Sequence, residues 1–256
     1  MSSTTPKQQD AQEYVNRLRS AALRHRAVNH PYLGALGSGG LPCHQQAVAD
    51  FSEQYANYSG LFTTFLTTLE PQLNNPEHRS RIRDNIAEAS GQYDSQSIAM
   101  LRDYGVPQED FDGVAHHDLF MRFTRAVGGT TSQPSFAVRR WNQSMLQLME
   151  RPGGHEGVGA LGLGTEFIVP RLYSHIERAL DYLPTISSYD RTFFTIHGPV
   201  DEVHQNEFKA IAVDLCVTAA GRRRVARGMF ETLEHRACLW DWLYERAFNR
   251  TQEAFA

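Results

Sequence analysis

The chain has 256 residues, of which 41% are hydrophobic and 21% charged, with a formal net charge of -4; this is the balance of a folded chain long enough to bury a substantial core in one large domain. It holds no run of about 18 apolar residues, which argues against a transmembrane helix, and Arg222-Arg223-Arg224 is too short a basic run to make a nucleic-acid surface. Three widely spaced cysteines, Cys43, Cys216 and Cys238, form no C-x-x-C pair, so neither a disulfide framework nor a cysteine zinc site is expected.

Residues 1–12 are polar and lack the apolar core of a signal peptide, so they are expected to be a flexible leader of a cytoplasmic protein, followed by a single helical domain over 13–250. From Ala11 to about Arg26 the spacing of Tyr14, Leu18, Ala21 and Ala22 predicts an amphipathic helix. Pro and Gly punctuate His30 to Pro42 and predict turns. Apolar and aromatic residues then recur every three or four positions from Val48 to Leu69, which predicts one helix ending near Pro71. Tyr55, Tyr58 and Phe62 on its stripe read as core, with pocket lining the second role open to them.

Asn75-Pro76 reads as a helix start, Asn75 as N-cap and Pro76 at the first helical position. Ile82, Ile86 and Ala89 give that helix its apolar side, and Glu88 falls close to it. A carboxylate there is either an edge residue reaching solvent or a metal ligand, because burial without a cationic partner is costly. Gly91 should end the helix, and Ser97 to Asp103 predicts a short one. A further helix begins at His116-His117 and stops at Gly128-Gly129; adjacent histidines point about 100° apart, so only one of the two can face a given site.

Ser135 to Glu150 predicts another helix. The G-x-G-x-x-G at Gly157 to Gly162 is not a dinucleotide fingerprint, since Pro152-Gly153-Gly154 just before it cannot form the buried strand that motif requires. Its small residues instead suit a helix face that lets a neighbouring helix come close. The same helix should carry Glu166, flanked by Leu163, Phe167, Ile168 and Val169, kink at Pro170 and run on to Pro184. Thr192 to Cys216 predicts the next helix and Arg222 to Phe248 the last. No alternating period-2 segment and no internal repeat occurs, so the expected fold is all-α, a single helical bundle of seven or eight helices.

His197, Asp201 and His204 stand four and seven positions apart, which on a helix returns each to within about 40° of one direction. Two imidazoles and a carboxylate on one face are either a polar solvated surface or the ligand set of a transition metal with open positions, most often non-haem iron. Gly198-Pro199 interrupts the turn between His197 and Asp201, so the helix either starts there or is locally distorted.

In the order of these motifs, Asn85-Ile86-Ala87-Glu88, His116-x-x-Leu119-Phe120, Gly162-x-Gly164-x-Glu166 and His197-x-x-x-Asp201-x-x-His204, the chain resembles the haem-oxygenase-like diiron oxidases and oxygenases, from about His30 to Trp242. The resemblance implies a haem-oxygenase-like bundle in which Glu88, His116, Glu166, His197, Asp201 and His204 hold two Fe(II) ions, with O2 as co-substrate. It departs from the family in the spacing of Glu88 and His116, so that either an insertion loops out between them or His117 or water takes the place of His116. The implied activity is oxidation of a small metabolite, foremost N-oxygenation of an amine or amino-acid derivative, with oxidative C–C cleavage or decarboxylation of an amino or fatty acid as the alternative. A non-redox, thiaminase-like hydrolase of the same fold is the other reading, with Cys216 as its nucleophile. The expected partners are a small-molecule substrate, with room left for a reductase or ferredoxin and for a homodimer, and neither nucleic acid nor membrane.

Overall fold

The computed structural model describes residues 6–197 and 199–253, with no side-chain description for 199–202 or beyond 249. Among the described residues there is no strand, and the order is α1 (Pro6–Arg24), α2 (Pro31–Gly37), α3 (His44–Ser59), α4 (Phe62–Leu69), α5 (Pro76–Ala89), α6 (Ser95–Asp103), α7 (His116–Ala126), α8 (Phe136–Met149), α9 (His155–Val158), a π-helical segment (Gly159–Glu166), α10 (Val169–Leu180), α11 (Ser188–Ile196), α12 (Pro199–Leu215) and α13 (Ala219–Glu253). No helix among the described residues is long and apolar enough to cross a membrane.

The all-α class is as expected, but the described helical segments outnumber the seven or eight read from periodicity, because three apolar stripes that run on in sequence are broken in space and because the stretch expected to form turns after His30 holds a short helix, α2, capped by His30 and started by Pro31. The stripe from Val48 to Leu69 divides at Gly60 into α3 and α4, where a side chain would press on the His117 ring at 3.0 Å. The stretch after Gly154 divides into α9, the π segment and α10, with Pro170 in the first turn of α10 rather than at a kink. The histidine-bearing stretch divides into α11 and α12. At the other end the helix begins earlier than expected: Pro6 opens α1 and Ala11 is fully buried, so residues 6–12 are part of the bundle rather than of a leader.

Local signals that carry a mechanism behave as expected. Asn75 accepts a hydrogen bond from the Glu77 amide (2.9 Å) ahead of Pro76, and Gly91 and Gly128 take positive φ at helix ends (+87° and +82°). The glycines at 157–164 are indeed contact positions. A Cβ at Gly159 would lie 2.0 Å from the Val225 carbonyl oxygen, one at Gly162 2.7 Å from Phe208 Cβ, and one at Gly164 2.4 Å from Thr232 Cγ2. These glycines let α12 and α13 pack against the π segment at backbone distance.

Two groups of rings set the positions of the site elements. Phe120 meets Phe193 and Phe123 meets Phe194, each with centroids 4.8 Å apart and edge to face, clamping α7 to α11. All four are buried, and each such pair adds about 0.5–1.5 kcal/mol beyond area burial. On the other side Tyr58 stacks on Trp141 at 3.8 Å, tying α3 to α8.

Candidate metal centre

The clamp between α7 and α11 brings His116 and His197 together, with ring centroids 4.8 Å apart. His116, in the first turn of α7, points inward, whereas His117 is exposed, which decides between the two as the 100° offset requires. His197 is the C-cap of α11. Pro199 opens a separate helix, α12, so His197 and His204 do not share one helical face. They nevertheless line the same small cavity, together with Asn85, His116 and Glu166. Glu88 joins from α5: its Oε2 lies 2.8 Å from His204 Nε2, and its other oxygen accepts a hydrogen bond from Ser97 Oγ (2.7 Å). Of the two readings open to Glu88, the carboxylate is turned to the histidines and not to solvent.

Thus Glu88, His116, Glu166, His197 and His204, from five different elements, converge on one place. The sixth residue of the expected set, Asp201, belongs to α12, but its side chain lies outside the described residues, as does Gly198. Among the described residues no three donors surround a common point as a metal requires; they bond to one another instead, Glu88 to His204 and His116 Nε2 to Tyr93 Oη at 2.8 Å.

The donor chemistry nonetheless suits a cation. The His197 Nδ1 is bonded to the Phe193 carbonyl oxygen; a carbonyl only accepts, so the proton sits on Nδ1 and Nε2 keeps its lone pair. Burial lowers the His197 pKa from its ordinary 6.5 to about 4, the neighbouring His204 also lowering it while the Phe193 carbonyl opposes. His116 is held well below the usual imidazole range by burial and then by His197 and His204. Both rings are therefore neutral, the ligand form. Glu166, in contrast, is pushed up, by burial first and also by the charge of Glu88, with His204 and the Asn85 amide working the other way. Burial also acts to lower the His204 pKa, but the hydrogen bond to Glu88 and the charges of Glu166, Glu88 and Glu207 outweigh it, and the net direction is up.

The His197 shift has a measurable sign. A histidine with a depressed native pKa holds stability above its unfolded value of 6.5 that is lost as pH falls toward 4, because the unfolded chain takes up the proton first. Between pH 7 and pH 5 the loss from this residue should be about 2 kcal/mol, and urea unfolding of the iron-free protein should show it reduced by about that amount in His197→Gln. An equal loss in both proteins counts against a neutral buried ring.

Next to the donors lies a second cavity of about 40 Å³, lined by Tyr55, Tyr58, Ser59, Phe62, Thr165, Val169, Tyr173 and Phe193 together with His116, Glu166 and His197. It has room for two or three water-sized molecules. The aromatic stripe of α3 and α4 thus both packs and lines. Three groups escaped sequence reading. Tyr93 lies in a loop without periodicity; Ser97 lies on the next helix, α6, past that loop; Arg236 lies on a helix whose apolar spacing hides it. Asn85 had a signal: it stands three residues before Glu88 on α5, the spacing of neighbours on one helix face. Glu166 owes its position to the π segment, whose extra residue per turn shifts the side-chain register and is often found at functional sites.

Cys216 is buried at the C-terminal end of α12, its thiol pushed up to about 12 by burial, and it lines neither cavity. The hydrolase reading has no nucleophile there.

Solved structures with this fold are numerous at low identity. A CADD-like protein of unknown function from Nostoc punctiforme is 16% identical, aligning over 93% of this chain and 99% of its own with a TM-score of 0.73. A domain of unknown function with a heme oxygenase-like fold from Shewanella denitrificans is 13% identical over 95% of this chain and 94% of its own, with a TM-score of 0.69. A TenA homologue from Pseudomonas syringae pv. tomato is 11% identical over 97% and 99%, with a TM-score of 0.65. These similarities establish the haem-oxygenase-like fold. No curated protein sequence matches the chain. The family model for iron-containing redox enzymes matches residues 49–237, a span that takes in all five converging donors, and the chain belongs to that family.

Proposed function

We propose that the chain is a non-haem diiron oxygenase or oxidase that uses O2 to oxidise a small metabolite, with Glu88, His116, Glu166, His197, Asp201 and His204 as the iron ligands. The observation that carries this reading is the convergence of two carboxylates and three imidazoles, from five elements, beside a cavity walled by aromatic rings. Ferrous iron, when bound, supplies the electrons that O2 needs and that no protein side chain here can give. The protein's own work is to hold His116 and His197 neutral, to keep Glu88 and Glu166 in one desolvated place, and to exclude bulk water with Phe62, Val169 and Phe193. Tyr93 and the Phe193 carbonyl orient the two imidazoles, and their loss would loosen the ligand geometry.

Among the oxidations open to such a site, N-oxygenation of an amine or amino-acid derivative is preferred; C–C cleavage or decarboxylation of an amino or fatty acid is the alternative. A reductase or ferredoxin would return the iron to its ferrous state between turnovers. Anaerobic titration with Fe(II) should give two ions per chain, and admission of O2 should then produce a transient absorbance and oxygen uptake accelerated by one member of an amine and amino-acid panel. A chain that binds no iron under these conditions overturns the proposal.

A further inference from the structure

Arg236 is fully buried in the middle of α13. Its guanidinium lies over the Trp141 ring, 4.6 Å from the centroid, and donates from Nη1 to Tyr55 Oη (3.2 Å) and from Nη2 to Thr165 Oγ1 (3.3 Å). Among the described residues the Nε–H has no hydrogen-bond partner and no carboxylate forms an ion pair with the guanidinium. An arginine cannot shed its charge at any ordinary pH, and a buried cation faced only by neutral groups is strongly unfavourable. The faces of Tyr55, Tyr58 and Trp141 lie within 6.0 Å of the guanidinium and offset part of that cost, but they supply no counter-charge.

The hydroxyls that receive these hydrogen bonds form part of the wall of the 40 Å³ cavity. Tyr55 Oη is 3.4 Å from Tyr173 Oη, and Thr165 Oγ1 is 3.2 Å from Tyr58 Oη. Because the guanidinium occupies a lone pair on Tyr55 and on Thr165, each hydroxyl's own proton remains to be donated, to the neighbouring Tyr173 or Tyr58 hydroxyl or to an acceptor in the cavity, polarised by the charge behind it. None of Tyr55, Tyr58, Thr165 and Tyr173 lines the smaller cavity that holds Asn85 and His204; the hydroxyl wall belongs to the larger one, which it shares with His116, Glu166 and His197. We propose that this wall is an anion subsite: Arg236, acting through Tyr55 and Thr165, binds the carboxylate of the substrate and leaves its oxidisable carbon or nitrogen toward Glu166, His116 and His197. A carboxylate is favoured over a phosphate because it is planar and small enough for the space. This inference rests on the function proposed above and narrows it to acids, an amino acid or small fatty acid before a simple amine.

The test uses the full-length protein, iron-free and iron-loaded, with acetate and propionate against acetamide and propionamide at constant ionic strength. Binding is read from the thermal unfolding midpoint and from the ultraviolet difference spectrum of the tyrosines and Trp141. The acids should bind saturably, with Kd of about 10 mM or tighter for ligands of four or five heavy atoms, and at least tenfold better than the amides. Arg236→Gln should remove that preference, Arg236→Lys should keep part of it, and Tyr55→Phe with Thr165→Val should weaken it while leaving the cation in place. Equal binding of acid and amide, an undiminished preference in Arg236→Gln, or no saturable change with either acid overturns the subsite. Iron counted in the same samples separates the two claims: two irons per chain without acid preference sinks the subsite alone, and acid preference in a chain that binds no iron sinks the diiron reading alone.

Discussion

Replacing His204 with alanine should abolish stoichiometric iron loading, lowering occupancy from two ions per chain to one or fewer, while leaving the helical content unchanged. His204 is almost wholly buried, bonds to Glu88 at 2.8 Å and faces Glu166 and Glu207 as well. Removing the ring takes away a nitrogen donor and leaves Glu88 without its cationic neighbour, so the carboxylate is free to turn toward solvent through the part of its side chain that is still exposed. Loss of an outer-shell partner of a metal ligand already weakens binding about 10–100-fold; loss of a donor together with its neighbour's orientation should exceed that. Anaerobic iron titration followed by metal analysis gives the number directly. Cys216→Ala, which alters a buried thiol away from both cavities, should load iron as the unaltered protein does. Unchanged stoichiometry in His204→Ala would mean that the histidine cluster is only a buried polar contact.

A single methyl group placed at Gly228 should be nearly as damaging, by a different route. A Cβ there would stand 1.9 Å from the Glu156 carbonyl oxygen and within 2.9 Å of that residue's C and Cα, all backbone atoms of α9 and none the end of a movable side chain. α13 would have to back away from α9 and from the π segment that follows it. Overpacking of this kind destabilises by about 1–3 kcal/mol and more where backbone must shift, so Gly228→Ala should lower stability by about 3 kcal/mol in urea unfolding. Because the displaced segment carries Glu166, iron binding should weaken as well. Gly105→Ala, where a Cβ meets nothing within 4 Å but φ is +84°, should be destabilised through backbone strain alone and load iron normally. Equal iron affinity in all three proteins would show that the close helix contact is not what positions Glu166.

The residues that turned out to meet were mostly visible beforehand, and for identifiable reasons. Glu88 and Glu166 stood out as carboxylates on apolar helix faces, where burial needs a partner. The histidines stood out by spacing, although the spacing argument assumed one continuous helix and the chain builds two, with Pro199 opening α12. His197 and His204 still meet because α11 is clamped by rings to α7 and α12 is pressed on the π segment at Gly162. The same limit explains the underestimated helix number: periodicity reports which face of a segment is apolar, and it is silent on a break that preserves the face, as between α3 and α4 at Gly60.

What the sequence determined by itself was the helical class, the helical setting of the glycine-rich motif, the role of those glycines in close helix contact, and which buried carboxylates and imidazoles stand out. These follow from local rules, in which backbone geometry and side-chain period act over a few residues. Only the tertiary structure decided that His116 rather than His117 faces inward, that Glu88 meets His204, that a π segment carries Glu166, and that Arg236 lies buried behind Tyr55 and Thr165 with no carboxylate paired to it among the described residues. Each of those is a contact between segments far apart in the chain, and its outcome depends on desolvation and charge at a place that exists only once the helices have packed.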